Sequence, residues 1–265
     1  MITIGKYVRA KSLEEAWELN QNKRNTILGG MLWLRLGNGS INTAIDLGDL
    51  NLDYIEENEE EFSIGAMTSL RDLEVHEGLN QYSNNAVKNA VKDIVGVQFR
   101  NMATIGGSIW GRFGFSDVLT VFLALDSYVE LYKGGMVSLE EFVNMKMDND
   151  ILVRLIVKKA PGKVVYSAMR NQSTDFPVLT CAVSDMNGVY KAVVGARPSK
   201  ACVYKDTENR LADGVTEEAI KLFAGDVAKV AKTQSNVRGS KEYRTRLVKV
   251  LVERGLVQLG GHDGN

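Results

Sequence analysis

The amino-acid sequence predicts an α+β protein that folds as about two domains. Short apolar segments typical of strands alternate with amphipathic segments typical of helices. The pair Asn187-Gly188 separates two apolar runs and predicts a tight β-hairpin. Two long helical patterns, at residues 216–230 and 240–254, close the chain. A length of 265 residues is sufficient for this arrangement.

The first fifty residues predict a small β-α-β unit. Ser12-Leu13-Glu14-Glu15 is a capping box, in which the serine hydroxyl accepts a hydrogen bond from an otherwise unpaired amide at the start of a helix. A short strand at residues 26–28 ends at Gly29-Gly30. Residues 31–36 are predicted to be helical, and residues 44–47 are predicted to form a further strand.

The rest of the chain predicts a larger unit, a linker and a final unit. Strands at residues 52–55 and 62–66 flank the acidic run 56–61, which is typical of a solvated turn. The basic segment 158–163 contains Pro161-Gly162 and is typical of a linker. The remaining predicted elements are helices at 85–95 and 117–125, a strand at 128–132 turned by Gly134-Gly135, a second capping box at Ser138, and strands at 151–157, 164–169, 179–185 and 189–194.

The composition argues against several classes of function. With 32 basic and 33 acidic residues, the chain lacks the basic surface of a nucleic-acid-binding protein. No apolar run approaches the roughly 20 residues of a membrane span. Residues 1–6 do not resemble a signal peptide, and two cysteines fit a reducing compartment, so we expect a cytoplasmic protein.

The few cysteines and histidines also argue against a metal site. Cys181 and Cys202 form no Cys-x-x-Cys pair, and His76 and His262 are distant from both in sequence, whereas zinc and iron–sulfur sites normally need about four such ligands. We expect Cys181 to be a small buried hydrophobe and His76 to be a surface residue of a helix. No residue is predicted to be catalytic or to bind a metal.

Two glycine pairs are candidates for phosphate binding. Gly29-Gly30 and Gly106-Gly107 each follow a short apolar segment, and a backbone without side chains can bring its N–H groups against a phosphate. Asp117 lies close behind the second pair, where its carboxylate could accept a sugar hydroxyl or simply stabilise a helix start. On spacing alone, each glycine pair favours a plain turn over a phosphate-binding loop. The usual nucleotide-binding fingerprints and a histidine-based nucleophile signature are absent.

The motifs around these glycines resemble a known family. Ala103-Thr104-Ile105-Gly106-Gly107-Ser108-Ile109, followed by Asp117 and Leu123-Ala124-Leu125-Asp126, resembles the FAD-binding segment of molybdenum hydroxylase flavoprotein subunits. That family includes xanthine, carbon monoxide and nicotinate dehydrogenases. Further ordered matches are Leu28-Gly29-Gly30, Ile64-Gly65-Ala66-Met67-Thr68, the pair Arg170 and Asp175, and the segment 237–244.

The resemblance implies a fold and a set of binding residues. Residues 1–158 would form an FAD-binding domain of the PCMH/xanthine dehydrogenase flavoprotein type, with subdomains at about 1–52 and 53–158. A small α+β C-terminal domain would follow at 163–257, and 258–265 would be a disordered tail. Carried over, the flavin and pyrophosphate loop comprises Ile27, Leu28, Gly29, Gly30, Met31, Leu32, Trp33 and Leu34; the pyrophosphate loop comprises Thr104, Ile105, Gly106, Gly107 and Ser108; Asp117 would bond the adenosine ribose, and Leu152 would touch the flavin.

The resemblance also implies a function and partners. The chain would be an FAD-binding electron-transfer subunit that works beside a two-cluster iron–sulfur subunit and a molybdopterin-binding large subunit. Electrons would pass from molybdenum through the clusters to FAD, and then to NAD or another acceptor. The isoalloxazine would perform the redox step, while the protein binds and tunes it.

Four departures from the family pattern leave two alternatives open. Met31 and Leu32 stand where polar residues are usual, Ser108 replaces an asparagine, and Ala168 falls where many members have a lysine near the flavin. Each lost hydrogen bond would cost about 1 kcal/mol of FAD affinity. The alternatives are a flavin-free scaffold subunit of the same complex and a stand-alone flavin oxidase.

Overall fold

The computed structural model describes residues 1–260. The strands are β1 (Thr3–Arg9), β2 (Thr26–Leu28), β3 (Ser40–Asp46), β4 (Ile55–Glu57), β5 (Glu61–Gly65), β6 (Ser127–Leu131), β7 (Gly135–Ser138), β8 (Leu152–Lys158), β9 (Gly162–Arg170), β10 (Pro177–Met186), β11 (Val189–Gly195) and β12 (Cys202–Lys205). The α-helices are α1 (Leu13–Asn20), α2 (Leu70–Val75), α3 (Glu77–Tyr82), α4 (Ala86–Val91), α5 (Val97–Arg100), α6 (Ile105–Trp110), α7 (Asp117–Ala124), α8 (Leu139–Phe142), α9 (Glu217–Val230) and α10 (Lys241–Leu259). Among the described residues, no helix is long and apolar enough to cross a membrane.

These elements pack into two compact units. The first unit contains residues 1–72, 97–111 and 127–158, and the second contains 73–96, 112–126 and the chain from Lys159 onward. The predicted domain boundary near residue 158 follows the order of the chain. Packing, in contrast, groups two earlier segments with the C-terminal half.

A parallel three-stranded sheet, in the order β1-β3-β2, forms the start of the first unit. The hydroxyl of Ser12 accepts from the amide of Glu15 at 3.1 Å and begins α1, so the predicted helix start is confirmed. A β-α-β unit is present, but it consists of β1, α1 and β2 and does not contain the helix predicted between β2 and β3. The sequence prediction missed β1, because most of its residues are exposed and show no apolar alternation. The predicted helix at 31–36 is wrong: Met31 has a φ of 58°, and only Leu34–Leu36 form one 3-10 turn.

An antiparallel five-stranded sheet completes the first unit, in the order β4-β5-β8-β6-β7. The turn between β4 and β5 is shorter than predicted. The side chain of Asn58 accepts from the amides of Glu60 and Glu61, both at 2.8 Å, so Glu56 and Glu57 join the strand instead of the turn. The predicted turn at Gly134-Gly135 is confirmed between β6 and β7.

An antiparallel four-stranded sheet, in the order β12-β11-β10-β9, is the centre of the second unit. Asn187 and Gly188 have φ values of 54° and 76°, which confirms the predicted hairpin. Helices α9 and α10 cover an apolar core that includes Cys181. This cysteine is 1% exposed, and burial raises the pKa of its thiol to about 12, so it is the inert hydrophobe that the sequence predicts.

Three further predictions about the second unit concern the linker, the end of the last helix and His76. The predicted linker is shorter, because β9 already begins at Gly162. Helix α10 runs to Leu259, five residues beyond its predicted end, so the predicted tail does not begin at 258; residues 261–265 lie outside the described residues. His76 is the N-cap of α3, where its Nδ1 accepts from the amide of Leu79 at 3.0 Å.

Helix α7 packs on β10 within the second unit. The hydroxyls of Thr120 and Thr180 lie 2.8 Å apart, and the hydroxyl of Ser184 donates to the carbonyl of Ala124 at 2.6 Å. These buried polar contacts fix α7 against the strand, because an unpaired buried hydroxyl is costly. They explain why a segment from the N-terminal half of the chain belongs to the C-terminal unit.

A buried arginine, Arg244, connects two segments of the second unit. The guanidinium of Arg244 is 0% exposed and donates four hydrogen bonds. Its acceptors are the carbonyls of Val178 (2.8 Å), Gln234 (2.8 Å) and Gly239 (2.5 Å) and the side-chain oxygen of Asn236 (2.6 Å). The planar fork of an arginine therefore ties the loop before α10 to β10.

We expect Arg244→Lys to destabilise the protein by about 3 kcal/mol or more, because an ammonium cannot reach acceptors spread around a guanidinium and at least two charged hydrogen bonds are lost. The measurement is chemical denaturation of both proteins. Arg254→Lys, on the exposed face of the same helix, is the control and should change stability by less than about 0.5 kcal/mol. Equal stability of the two variants would contradict this role for Arg244.

Candidate functional site

The two predicted glycine loops meet in the first unit. A Cβ atom placed on Gly29, just after β2, would lie 2.9 Å from the hydroxyl oxygen of Thr104 and 3.7 Å from the Cα of Gly107. Thr104 is the N-cap of α6, and its hydroxyl accepts from the amide of Gly107 at 3.1 Å. Two segments that are about 75 residues apart in sequence therefore form one continuous surface.

Glycine is required at two positions of this surface because backbones approach each other closely. A Cβ on Gly30 would overlap the carbonyl oxygen of Met102, and a Cβ on Gly106 would lie 2.5 Å from the carbonyl oxygen of Ala66. Gly107 differs from both. It is exposed, and a Cβ there would meet only the hydroxyl of Thr104, at 3.2 Å. A side chain at Gly107 is thus compatible with the fold, but it would occupy space at the surface of the loop.

The first loop presents a run of unpaired amides. None of the N–H groups of Gly29, Gly30, Met31 and Leu32 donates to an acceptor within residues 1–260. Met31 has a left-handed backbone, with a φ of 58°. Successive N–H groups around a left-handed residue form concavities that bind anions. The loop is therefore suited to a phosphate or pyrophosphate.

The apolar side chains of this loop pack inward. Met31 and Leu34 contact the small core of Leu28, Ile41 and Ala44. Leu32 is only 7% exposed. Because the unpaired groups belong to the backbone, apolar side chains at 31 and 32 leave them in place.

A cleft of about 240 Å³ adjoins the two loops in the first unit. Seven of the predicted binding residues line it: Ile27, Leu28, Gly29, Thr104, Gly106, Gly107 and Leu152. Its lining is mostly apolar. The lining residues that sequence reasoning missed are Asn20, Asn25, Thr26, Leu47, Ala66, Met67, Trp110, Asp148, Asn149, Asp150 and Ile151. Ala66 and Met67 belong to the segment 64–68 that resembles a family motif, so the sequence could have indicated them. The other missed residues belong to no recognisable motif.

The other predicted residues of the second loop lie away from the cleft lining. Ile105 is 0% exposed, and its amide donates to the carbonyl of Thr68 at 2.9 Å. The hydroxyl of Ser108 donates to the carbonyl of Thr104 at 3.1 Å, within the helix. In the first loop, Trp33 is 40% exposed. Contacts of these side chains with a ligand stay predictions.

Asp117 belongs to the second unit, where its carboxylate is already engaged. It accepts hydrogen bonds from the hydroxyl of Tyr166 and from the guanidinium of Arg170, the latter at 2.5 Å. Arg170 also donates to the carbonyl of Asp175 at 2.7 Å. Burial raises the pKa of Asp117 to about 6, and Arg170 and Tyr166 limit the increase. The carboxylate thus fastens the start of α7 to β9.

Comparison with known proteins identifies the family. Residues 2–159 match the family described as the FAD binding domain in molybdopterin dehydrogenase, and residues 164–259 match the CO dehydrogenase flavoprotein C-terminal domain. The chain belongs to this family. The family recognised from the sequence, the α+β fold class and FAD as the cofactor are therefore confirmed, and the chain is an oxidoreductase subunit.

Individual relatives span almost the whole chain. YgfM of Escherichia coli K12, itself uncharacterised, is 28% identical over 260 residues, which cover 94% of each chain. The glyceraldehyde dehydrogenase medium chain of Sulfolobus acidocaldarius is 26% identical and covers 96% of this chain and 97% of its own. A chain of carbon monoxide dehydrogenase from Hydrogenophaga pseudoflava superposes with a TM-score of 0.84 at 23% identity, over 97% of both chains. The similarity to the carbon monoxide dehydrogenase chain shows that the present chain has the same fold.

We expect Gly107→Val to fold and to bind FAD at least about tenfold more weakly, because the added side chain occupies the loop surface without meeting the rest of the backbone. Fluorescence titration with FAD and a thermal melt give the two readouts. Gly39→Val, at an exposed position with no atom within 4 Å, is the matched control and should bind FAD like the wild type. Unchanged affinity in a folded Gly107→Val variant would refute the loop assignment.

The raised pKa of Asp117 predicts a pH dependence of stability. Between its ordinary value of 3.8 and about 6, the folded chain keeps a proton that the unfolded chain releases, so this group's contribution to stability falls as the pH rises. The full effect is about 3 kcal/mol. We therefore expect the wild type to lose stability relative to Asp117→Asn between pH 4 and pH 7, in denaturation series at both ends. A gain over the same range would show that Arg170 outweighs burial.

Proposed function

We propose that this flavoprotein carries electrons from an iron–sulfur partner through FAD to NAD or another acceptor, within a molybdenum-dependent dehydrogenase complex. The observation that carries the proposal is the meeting of two glycine loops beside an apolar cleft, with the unpaired amides of Gly29, Gly30, Met31 and Leu32 at its edge. The loops and the cleft lie within residues 2–159, which match the FAD binding domain of the family.

The residues of the first unit fit both halves of FAD. The unpaired amides and the hydroxyl of Thr104, which accepts from Gly107 and keeps its own proton to donate, suit the pyrophosphate. The apolar side chains of Ile27, Leu28 and Leu152 suit the isoalloxazine. FAD, when bound, supplies reversible two-electron chemistry. The chain binds and orients it and keeps water from the apolar part of the cleft.

The packing of the first loop argues against the alternative that the chain is a flavin-free scaffold subunit. That alternative rested on Met31 and Leu32 replacing polar residues. Both side chains face the interior, and the amides beside them stay unpaired. This arrangement supports retention of FAD. We also propose that Asp117 contributes to FAD binding, either directly through the ribose or by fastening α7, and Asp117→Asn in the FAD titration separates its effect on affinity from its effect on stability.

The names of relatives support a multi-subunit complex. One is a medium chain of glyceraldehyde dehydrogenase, and another is the subunit alpha of a 6-hydroxypseudooxynicotine dehydrogenase complex. We infer that a two-cluster iron–sulfur subunit and a molybdopterin-binding large subunit assemble with this chain in the cytoplasm. Ala168 replaces a lysine that many family members place near the flavin. For this reason the proposal names NAD and another acceptor as alternatives.

The direct test is the reduction of the flavin in the isolated chain and in the complex. We expect purified protein to be yellow and to release FAD on heating, since no cysteine or histidine that could attach it covalently is among the described residues that line the cleft. Aldehyde, purine or heteroaromatic substrates should bleach the flavin only after both partner subunits are added. Stopped-flow absorbance measures the rates.

The outcomes of this test discriminate between the candidate functions. A colourless protein that takes up no added FAD would support a scaffold. Rapid bleaching of the isolated chain by a substrate would support a stand-alone oxidase. If NADH reduces the flavin of the isolated chain within seconds of mixing, this result would support NAD as the acceptor. If NADH does not reduce it on this timescale, a quinone or a carrier protein becomes the better candidate.

A further inference from the structure

One aromatic side chain in the cleft has no counterpart in the motifs that predicted the site. Trp110 ends α6, three and four residues after Gly107 and Gly106, and therefore shares their face of the helix. Among the described residues that line the cleft, Trp110 is the one aromatic residue. The same short helix thus contributes both the glycine backbone and an indole ring to the cleft lining.

The indole ring of Trp110 packs against a second aromatic ring. Its centroid lies 5.8 Å from that of Phe142, with an angle of 46° between the rings. Phe142 is 1% exposed and is not among the residues that line the cleft, so its role here is to support the indole. Tilted aromatic pairs at this distance are favourable. Trp110 therefore combines a contact with a buried ring and a place in the cleft lining, where it is available for a contact with a ligand.

The rest of the lining is suited to a flat aromatic ligand. Leu28, Ile151 and Leu152 are each less than a tenth exposed and line the cleft with Trp110. Their side chains offer apolar contact but no π-system. Asn20 and Asn25 also line the cleft, and their side-chain amides donate to the carbonyls of Asn149 and Leu19, which holds both side chains in place.

We propose that Trp110 is a positioning residue for FAD that makes direct contact with the isoalloxazine ring. This inference rests on the proposed function and adds to it the side chain that sets the optical properties and redox balance of the bound flavin. An indole is electron-rich, and the oxidised isoalloxazine is electron-poor. Contact between them favours the oxidised over the reduced ring and quenches flavin emission by electron transfer from the indole to the excited flavin.

Two substitutions separate ring contact from packing. Trp110→Phe keeps a ring against Phe142 but removes the electron-rich donor, and Trp110→Leu removes the ring. We expect flavin emission to rise several-fold in both variants, and FAD affinity to fall about 3- to 10-fold in Trp110→Leu and less in Trp110→Phe. The reduction potential of bound FAD should move to more positive values in both variants.

A matched control is available within the same unit. Trp17 lies in α1, packs against the core of the first unit and is not among the residues that line the cleft, and Trp17→Phe also removes one indole. Its flavin emission, affinity and potential should equal those of the wild type. A purely structural role for Trp110 would lower thermal stability in Trp110→Phe without changing the emission of the flavin that stays bound.

The results distinguish this inference from the function on which it rests. If the wild type binds FAD and both Trp110 variants show wild-type emission and potential, the contact with the isoalloxazine is refuted while FAD binding stands. If the wild type binds no FAD, both are refuted. If Trp110→Leu does not fold, the emission of Trp110→Phe decides alone, because a phenyl ring is a poor electron donor to excited flavin.

Discussion

The site depends on the close approach of two backbone segments in the first unit. Gly30 lies against the carbonyl of Met102 with no room for a side chain, and Gly106 lies close to the carbonyl of Ala66. The first contact brings the end of β2 beside the segment before α6. The second brings α6 against the end of β5, and both Gly106 and Ala66 line the cleft. Because a Cβ at either place would force the backbones apart, glycine is a condition for the fold of this region as well as for ligand access.

The same constraint decides which parts of the loop are available for recognition. Since Met31 and Leu34 are needed to pack against Leu28, Ile41 and Ala44, their side chains are committed to the core. What remains for recognition is a row of amides that make no hydrogen bond to the described protein, and their chemistry does not depend on the identity of the residue. Apolar substitutions in such a loop are therefore compatible with pyrophosphate binding. This explains how the loop can depart from the family pattern and still suit the family's cofactor.

The sequence predicted the features that local chemistry determines. The cap at Ser12, the hairpin at Asn187-Gly188 and the two glycine loops were identified because each has a signature within a few residues. The helix predicted at 31–36 was wrong because apolar residues followed a helical spacing, whereas the left-handed backbone at Met31 interrupts it. Such a backbone conformation depends on the packing of Gly30 against Met102, which lies about 70 residues away.

Long-range packing also explains what the sequence could not reveal about the site. Trp110 and the segment Asp148 to Ile151 carry no motif, and only the fold brings them to the cleft. The association of α7 with β10, through Thr120 and Thr180, likewise has no local signal. Asp117 was recognised by its spacing from the glycines, but its contacts with Tyr166 and Arg170 come from strand β9, about 50 residues later.

The proposed FAD site depends above all on the amides of residues 29 to 32 as ligands for the cofactor. Residue-resolved hydrogen exchange, with and without saturating FAD, measures these N–H groups individually. They are unpaired in the structure, so they should exchange rapidly in the free protein and become strongly protected when FAD binds. If these amides exchange equally fast with and without FAD, while FAD is demonstrably bound, they are not ligands of the cofactor and the proposed site is wrong.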